Sequence, residues 1–248
     1  MTLTRVFPPA PDDASPASVE GMDVASRDWL LHRYALPTGL SLRVNMIASL
    51  NGSATGDDET SNSLSSRLDR RILGVIRELS DVVLVGAGSV RVEGYLVPAK
   101  AALAVVTTSG DLTGHRLQER EGTQPVFILC PRSTLGMVEE TASSAHATIV
   151  PIGDEGGDIP PASIIRALHD LGLTRIVCEG GPLLAGQLFG ADLVDEFCLS
   201  TSPQVTLGGR PLLESSRTGS TRFSLRQLLL DDAGATYARW NRARPASS

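Results

Sequence analysis

The sequence predicts a single α/β domain in which helices flank a mixed, mostly parallel sheet. Short apolar runs alternate with amphipathic segments along much of the 248 residues, which is typical of parallel strands joined by helices. Two of these runs, 82–85 and 176–178, lead directly into glycine turns and then into helical patterns. Residues 223–230 and 236–240 have strand patterns joined by a turn at 231–234, which predicts an antiparallel carboxyl-terminal hairpin.

Composition argues against several classes of protein. The net charge is −6 and no Lys/Arg cluster is present, which disfavours a nucleic-acid partner. No apolar run is long enough to span a membrane, and the first residues lack a basic-then-apolar signal pattern. Cys130, Cys178 and Cys198 lie in apolar runs without C-x-x-C spacing, which predicts buried thiols in a reducing cytoplasm. The four histidines are scattered, so we predict no metal site.

The amino-terminal segments are expected to lie outside the main domain. Residues 1–20 are rich in Pro, Ala, Ser and Asp, which predicts a poorly ordered arm. Residues 21–39 form a helical extension whose apolar face carries Trp29, Leu30 and Tyr34 and caps the domain. Neither a linker nor a repeat divides residues 40–241, so we predict one domain there.

The first strand of that domain is predicted at residues 40–50, where Leu42 and Val44 begin an alternation of apolar and other residues. It runs into a Ser-Leu-Asn-Gly turn and a polar loop, 53–66, that is too long for a simple connector. We interpret the loop as a binding element, with a plain surface loop as the alternative. Residues 67–79 then have the pattern of an amphipathic helix.

The second predicted strand, 82–85, ends in Gly86-Ala87-Gly88-Ser89-Val90. This turn is similar to the opening of the G-x-G-x-x-G dinucleotide fingerprint, although Arg91 stands at the last glycine position. Further strands are predicted at residues 101–107, 126–130, 148–151 and 194–200, with helices near 135–143 and 163–171.

The stretch 175–188 has the pattern strand, glycine turn, helix start. Gly180 and Gly181 leave backbone amides facing outward, and Pro182 suits the first turn of a helix. Exposed amides and the helix dipole favour an anion, most often a phosphate. Glu179 would repel a phosphate placed directly on it. We therefore expect residues 181–187 to hold a phosphate-bearing cofactor and Glu179 to face a second ligand, with a tight turn and a solvated Glu as the alternative.

Four motifs in this order resemble a known family. They are Ala48-Ser49-Leu50-Asn51-Gly52, the stretch from Asp81 to Val90, Glu179-Gly180-Gly181-Pro182-Leu183-Leu184 and Val194-Asp195-Glu196. Together they resemble the reductase domain of riboflavin biosynthesis, the pyrimidine reductase family, which has a dihydrofolate-reductase-like fold. The resemblance covers residues 40–241. It implies NADPH-dependent reduction of 5-amino-6-(5-phosphoribosylamino)uracil to the ribitylamino product by a homodimer.

The resemblance also implies roles for individual positions. Asn51 and Glu179 correspond to catalytic positions. The implied substrate contacts are Ser61, Arg77 for the phosphate, Lys100 and Glu179. The implied cofactor contacts are Ile47, Asn51, Ser63, Gly86, Ser89, Glu93, Thr108 on the adenosine side, and Gly181, Pro182, Leu183, Leu184, Ala185, Gly186 and Gln187 around the pyrophosphate.

The chain departs from the family pattern at three points. Asn51 stands where Asp is usual, and Ser63 stands where some members have an aromatic residue. The second substrate arginine has no clear counterpart, and Lys100 is the nearest candidate. No His or Tyr is evidently placed to donate a proton, so we expect the proton to come from water or from the substrate.

These departures leave three functions open. The first is the pyrimidine reductase. The second is reduction of dihydrofolate, another pterin or another heterocycle on the same scaffold, which a shared fold permits. The third is a nucleotide-binding protein without turnover, which the neutral Asn51 favours slightly.

Overall fold

A computed structural model describes residues 1–8, 18–20, 23–36, 39, 41–118, 124–153 and 159–243. Eleven strands form one sheet in the order β2-β1-β10-β11-β9-β3-β8-β4-β5-β6-β7. The strands are β1 (Thr2–Phe7), β2 (Ser18–Glu20), β3 (Ser41–Ser49), β4 (Val82–Gly86), β5 (Ala102–Val106), β6 (Val126–Cys130), β7 (Thr148–Pro151), β8 (Arg175–Cys178), β9 (Glu196–Ser202), β10 (Phe223–Asp231) and β11 (Thr236–Arg242). The helices are α1 (Val24–Tyr34), α2 (Arg67–Glu78), α3 (Ala87–Val92), α4 (Leu135–Thr141), α5 (Pro161–Asp170) and α6 (Pro182–Gly190).

The sheet confirms the predicted fold class. The pairs from β9 through β3, β8, β4, β5 and β6 to β7 are all parallel. The predicted carboxyl-terminal hairpin is present, because β10 pairs antiparallel with β11, which pairs antiparallel with β9. The domain therefore has a mixed sheet in which parallel pairs predominate.

Helices cover both faces of the sheet, which explains why the central strands are continuous apolar runs. In one core layer, helices α1, α2, α3 and α4 pack against strand side chains such as Val83, Val85 and Val177. The other joins α5 and α6 with the alternate side chains of the same strands, such as Val82, Leu84 and Ile176. In the described part of the chain, no helix is both long and apolar enough to cross a bilayer.

The amino-terminal prediction needs correction. Instead of a poorly ordered arm, β1 pairs antiparallel with β10, and β2 pairs with β1. Leu3 is fully buried in the first core layer, which the polar composition of its neighbours conceals. The Pro- and Asp-rich residues 9–17 lie outside the described residues. The predicted extension does contain a helix, α1, which packs on the domain through Trp29, Leu30 and Tyr34.

Charged side chains lie at the amino ends of the parallel strands. Arg43 in β3 is fully buried and is bonded to Glu196 at the start of β9, which also accepts bonds of 2.8 and 2.6 Å from Arg239 of β11. The ring of Tyr34 lies beside both guanidinium groups, 6.0 Å from Cζ of Arg43 and 5.2 Å from Cζ of Arg239. We call Arg43, Glu196 and Arg239 the buried triad. It joins β3, β9 and β11 beneath α1.

Candidate active site

A cleft of 540 Å³ opens at the carboxyl ends of the central strands. This is the edge at which open α/β sheets commonly bind ligands. Its floor comes from β3, through Asn45, Met46 and Ile47, and one wall is the first residues of α6. The opposite walls are α2, α3 and the polar loop 53–66, so the loop that we interpreted as a binding element does border the cleft.

The two predicted glycine turns meet in this cleft. The amide of Gly86 donates to the carbonyl of Gly180 over 2.9 Å, and the amide of Glu179 donates to that of Leu84 over 3.0 Å. The Gly180–Gly181 peptide bond is cis, and Gly180 has a φ of +88°, which favours glycine. A Cβ added to Gly181 would lie 2.8 Å from Oγ of Ser89, so the starts of α3 and α6 touch.

This contact presents a set of donors that fits a diphosphate. Gly181 is the N-cap of α6 but supplies no side-chain cap, and Pro182 follows it without an N–H. The first amides of the helix, at Leu183 and Leu184, therefore lack the usual capping acceptor. Gly88 is exposed with open space around its Cα, and the Ser89 hydroxyl lies beside it. A nucleotide diphosphate fits these donors, and a side chain at position 88 would narrow the approach.

An arginine–glutamate pair forms the other end of the cleft. Arg77 donates from Nε to Oε1 of Glu179 over 2.8 Å and from Nη2 to Oε2 over 2.6 Å. Its Nη2 also donates to the hydroxyl of Tyr95, and its guanidinium lies 5.3 Å from that ring. Burial alone would lower the pKa of Arg77, but the charge and hydrogen bonds of Glu179 outweigh it and raise that pKa. The Glu179 side chain is 6% exposed and that of Arg77 is 25% exposed.

The polar loop is attached to α3 beside this pair. The amide and hydroxyl of Ser61 donate to the two carboxylate oxygens of Glu93, over 3.2 and 3.0 Å. Ser61, Glu93 and the Arg77–Glu179 pair all line the same cleft. These hydrogen bonds attach the loop to the carboxyl end of α3.

One face of α2 runs along the cleft, with Asp69, Leu73 and Arg77 at successive helical turns. Burial raises the pKa of Asp69, and hydrogen bonds from Ser200 and Ser65 and the charge of Arg70 oppose the shift only in part. Asp69 thus holds its proton to a higher pH than an exposed aspartate does.

Comparison with known proteins identifies the family. A model of the family described as "RibD C-terminal domain" matches residues 41–237. The chain belongs to the RibD C-terminal domain family.

The chain is similar to a pyrimidine reductase in sequence and to further proteins in structure. The chain is 27% identical over 186 residues to the 2,5-diamino-6-ribosylamino-4(3H)-pyrimidinone 5′-phosphate reductase of Archaeoglobus fulgidus, covering 67% of this chain and 81% of that protein. A pyrimidine reductase-like protein from Corynebacterium diphtheriae has a TM-score of 0.71 at 20% identity, over 83% of this chain and 93% of that one. RibD from Acinetobacter baumannii has a TM-score of 0.65 at 15% identity, and this chain covers 59% of it. At these identities the two structures show a shared fold.

Several site positions that the family resemblance implies come together in the cleft. These are Ile47, Ser61, Arg77, Ser89, Glu93, Glu179, Gly181 and Pro182. Their roles remain predictions, because proximity does not show which ligand each contacts. Gly86 lies directly beneath them through its bond to Gly180.

Other implied positions have different surroundings. The Asn51 side chain accepts from the Ser49 hydroxyl and exchanges two hydrogen bonds, of 2.8 and 3.0 Å, with the backbone of Thr206. It therefore anchors the segment after β9. The Ser63 hydroxyl donates to Asp58 over 2.6 Å, and the exposed Thr108 follows β5 without lining the cleft.

The helix α6 and Lys100 also differ from expectation. The side chains of Leu184 and Ala185 are buried in the core, that of Leu183 is mostly exposed, and none of them, nor that of Gln187, lines the cleft, so Leu183 and Leu184 could contact a ligand only through their backbone amides. A Cβ on Gly186 would lie 1.9 Å from the carbonyl oxygen of Glu214, so this glycine permits the close packing of that segment on α6, and its contact with a cofactor stays a prediction. Lys100 lies in a neighbouring cavity of 390 Å³.

Sequence reasoning missed Asp69, Tyr95 and Arg210, all of which line the cleft. For Asp69 a signal was available, because it precedes Arg77 by two helical turns on the same face of α2. Tyr95 and Arg210 lie on irregular segments, whose path into the cleft no periodicity reveals. Among the described residues, no group of three His, Cys, Asp or Glu side chains is arranged to hold a metal ion.

Proposed function

We propose that this chain reduces the ribosyl group of a phosphoribosylamino-pyrimidine to a ribityl group in riboflavin biosynthesis, with NADPH as the reductant. The observation that carries the proposal is the single cleft that joins an uncapped helix start with a charged Arg77–Glu179 pair. The family membership supports it, as does the activity for which the Archaeoglobus fulgidus relative is named.

The cofactor end of the cleft is built from α6 and the turn after β4. The amides at the start of α6, with Gly88 and Ser89, would hold the diphosphate. When bound, the nicotinamide supplies a hydride. Met46 and Ile47 on β3 offer an apolar floor that excludes water from the reacting carbon.

At the substrate end of the cleft, the existing hydrogen bonds of Arg77 decide which of its nitrogens can bind a phosphate. Its bonds to Glu179 and Tyr95 use Nε and Nη2. Its Nη1 has no hydrogen bond among the described residues and can bind a phosphate oxygen while Glu179 stays paired. Arginine suits such a double role because its planar fork offers five donors. Glu179, a carboxylate, can then accept hydrogen bonds from amino or hydroxyl groups of the substrate.

The test is an assay of NADPH oxidation by the purified chain. Three substrates are run side by side: 5-amino-6-(5-phosphoribosylamino)uracil, the 2,5-diamino-pyrimidinone phosphate of the archaeal relative, and dihydrofolate. Turnover of either pyrimidine is expected and supports the proposal, and the ratio of the two rates shows which pyrimidine this chain prefers. Turnover of dihydrofolate alone, or tight NADPH binding with no turnover, contradicts it. NADH in place of NADPH tests the choice of cofactor.

We also propose a homodimer, as the family resemblance implies. Two large apolar side chains after β9 support it, because Leu207 is 90% exposed and Val205 is 64% exposed. Sedimentation of the wild-type chain should give a dimer, and L207E should weaken it. A cytoplasmic location is proposed on the three cysteines, which are all free and buried.

A further inference from the structure

Asp69 lines the cleft on the face of α2 that is turned toward the sheet. It is the third residue of α2, and its backbone amide is capped by the Ser66 hydroxyl over 3.0 Å. Its Oδ2 accepts from the Ser65 hydroxyl over 2.6 Å, and the hydroxyl of Ser200 on β9 also bonds to the carboxyl. Ser200 is the register partner of Ile47 on β3. The carboxyl therefore sits at the level of the strand position that the family resemblance assigns to the cofactor.

The groups that face Asp69 leave it without a cationic partner. No ion pair is formed by Asp69 in the part of the chain that the structure describes, and the guanidinium of Arg70, its neighbour on α2, bonds instead to the Asn62 carbonyl over 3.3 Å. The hydroxyl of Tyr237 on β11 lies within hydrogen-bond distance of the Ser66 hydroxyl and donates to Asp231.

The remaining charges of the cleft belong to other elements. Glu179 is held by Arg77, and Glu93 by Ser61. Glu59 and Arg210 lie on the loops at the cleft mouth. Asp69 is thus a partly buried acid, set among hydroxyl groups and without an ion-pair partner, and burial outweighs the hydrogen bonds that favour its carboxylate.

The group reduced in a ribosylamine is its open-chain imine. Reduction of an imine needs a proton as well as a hydride. The hydride adds to the carbon of the C=N bond, and the nitrogen must gain a proton for the product to be a neutral amine. A positioned acid typically contributes 10²–10⁴-fold to such a step. Water can serve instead, but a cleft that excludes water makes a fixed donor more useful.

We propose that Asp69 is the proton donor of this reductase, an inference that rests on the proposed function. The O–H bond of its carboxyl breaks as an N–H bond forms on the substrate nitrogen. The adjacent carbon gains a hydride and is reduced, while the nicotinamide is oxidised. The resulting carboxylate recovers a proton from solvent through the cleft. Atoms and charge balance, with one proton and one hydride consumed per turnover.

The spacing on α2 fits a phosphorylated pentose. Asp69 and Arg77 are eight residues apart, which is about 12 Å along the axis at 1.5 Å per residue. A ribosyl phosphate can extend between them, with its phosphate at Arg77 and its nitrogen-bearing carbon toward Asp69. Tyr95 is the other cleft residue with an acidic O–H, but it lies against Arg77, at the phosphate end.

The first experiment compares the pH dependence of kcat in the wild type, D69N and E139Q. The acid must be protonated to act, so wild-type kcat should fall as pH rises through the raised pKa of Asp69. D69N should lower kcat on the order of 100-fold and abolish that limb. E139Q removes an exposed carboxylate on α4, outside the cleft, and should match the wild type. NADPH affinity, measured by fluorescence, should stay within about twofold in all three, which also shows that D69N is folded.

A second variant tests the assignment with Asp69 in place. The Ser65 hydroxyl donates to the carboxylate and so favours the ionised form. S65A should therefore raise the pKa of Asp69 further and shift the limb of the kcat profile to higher pH. Infrared difference spectra of the free protein should show a protonated carboxyl that titrates at the same pH as this limb and is lost in D69N.

The outcomes separate the two proposals. A wild type that reduces neither pyrimidine contradicts the proposed function, and the proton-donor role with it. An active wild type together with an equally active D69N overturns only the role of Asp69. So does an alkaline limb that persists in D69N or fails to move in S65A. Loss of the limb in D69N and its upward shift in S65A support the assignment.

Discussion

Two arginine–glutamate groups lie at opposite ends of the parallel strands, and they serve different purposes. At the amino ends, the buried triad places Arg43, Glu196 and Arg239 out of solvent, with 0%, 9% and 8% of the side chains exposed. At the carboxyl ends, Arg77 and Glu179 meet at the cleft, and a quarter of the Arg77 side chain stays exposed. The chemistry is the same, and the surroundings differ.

The surroundings decide what each group can do. In the buried triad, Glu196 is bonded by two arginines, and Nη2 of Arg43 donates to the Tyr34 carbonyl over 2.9 Å, so these charged groups are largely satisfied by one another and by the backbone. In the cleft pair, one edge of Arg77 faces open space. A buried ion pair gives little net stability when intact, but removing one partner is strongly destabilising because it leaves the other charge buried and uncompensated. We therefore expect the amino-end group to govern folding and the carboxyl-end group to govern binding.

The largest effect should come from Glu196→Gln. It would leave the buried Arg43 and Arg239 without their counter-charge, so we expect a loss of about 3–5 kcal/mol in the free energy of unfolding. Urea denaturation followed by circular dichroism measures it. Glu179→Gln is the matched control and should cost much less, because Arg77 can turn toward water. Equal losses in the two variants would contradict the comparison.

Glu179→Gln should instead act on turnover. Removing the charge of Glu179 changes the hydrogen bonds offered to the substrate and frees Arg77 to turn. We expect kcat/KM for the pyrimidine substrate to fall on the order of 100-fold, while the Kd for NADPH changes less than about twofold. Steady-state kinetics and nicotinamide fluorescence give the two values. Unchanged turnover would contradict a role for Glu179 in binding the substrate.

A pair of glycine variants separates packing from binding. Gly186→Ala puts a Cβ against the backbone of Glu214 and should cost about 1–3 kcal/mol of stability with NADPH affinity kept. Gly88→Ala meets nothing within 4 Å and should be neutral or stabilising by up to about 1 kcal/mol. It should nevertheless weaken NADPH binding roughly tenfold, because the diphosphate approaches there. Thermal unfolding with and without NADPH measures both effects, and the reverse pattern would contradict our view of the two turns.

The smallest effect concerns Asp81, which precedes β4 at the amino ends. Burial tends to raise its pKa, but bonds from the side chain and amide of Arg175 and from the amide of Thr174 prevail and lower it. Asp81→Asn should cost about 1 kcal/mol near neutral pH. Because the folded pKa is lowered, this contribution is present above the ordinary Asp pKa, about 3.9, and is lost as pH falls through the folded value. Urea titrations between acid and neutral pH test it, with the exposed Asp57→Asn as control.

Asp69 should show the opposite sign in the same titrations. Its folded pKa is raised, so its contribution to stability is present below the ordinary Asp pKa and is lost as pH rises through the folded value. Asp69→Asn should remove this decline, and a decline that persisted would contradict a buried protonated carboxyl. Folding thus shifts the pKa values of the two aspartates in opposite directions, down for Asp81 and up for Asp69.

Much of the fold could be predicted from periodicity, and the exceptions share a cause. Strands such as β4 and helices such as α2 follow from local patterns, because burial on one or both faces dictates which residues are apolar. Arg43 could not be placed, since a polar residue in an alternating strand suggests solvent, whereas Glu196, 153 positions away, buries it. Strand β1 depends in the same way on a partner far along the chain.

The site was predictable where motifs are continuous and not where the fold brings separate segments together. The glycine turns and Glu179 lie within single motifs, so their meeting at the strand ends followed from the parallel topology. Gly186 belongs to the same motif, but the segment that packs on it comes from beyond β9. Asp69 becomes notable only when Ser200 and its burial are known.

The pairing of the first strand has a consequence for synthesis on the ribosome. The amide of Thr2 donates to Asp232, 230 positions later, and β1 lies beside β10 throughout. At 5–20 residues per second, the nascent β1 waits on the order of 10–50 s for its partner, which is synthesised after all of the parallel strands. Its Leu3 and open edge are exposed during that interval. We expect nascent chains halted before β10 to engage chaperones through this strand, and the finished chain to release them when the sheet closes.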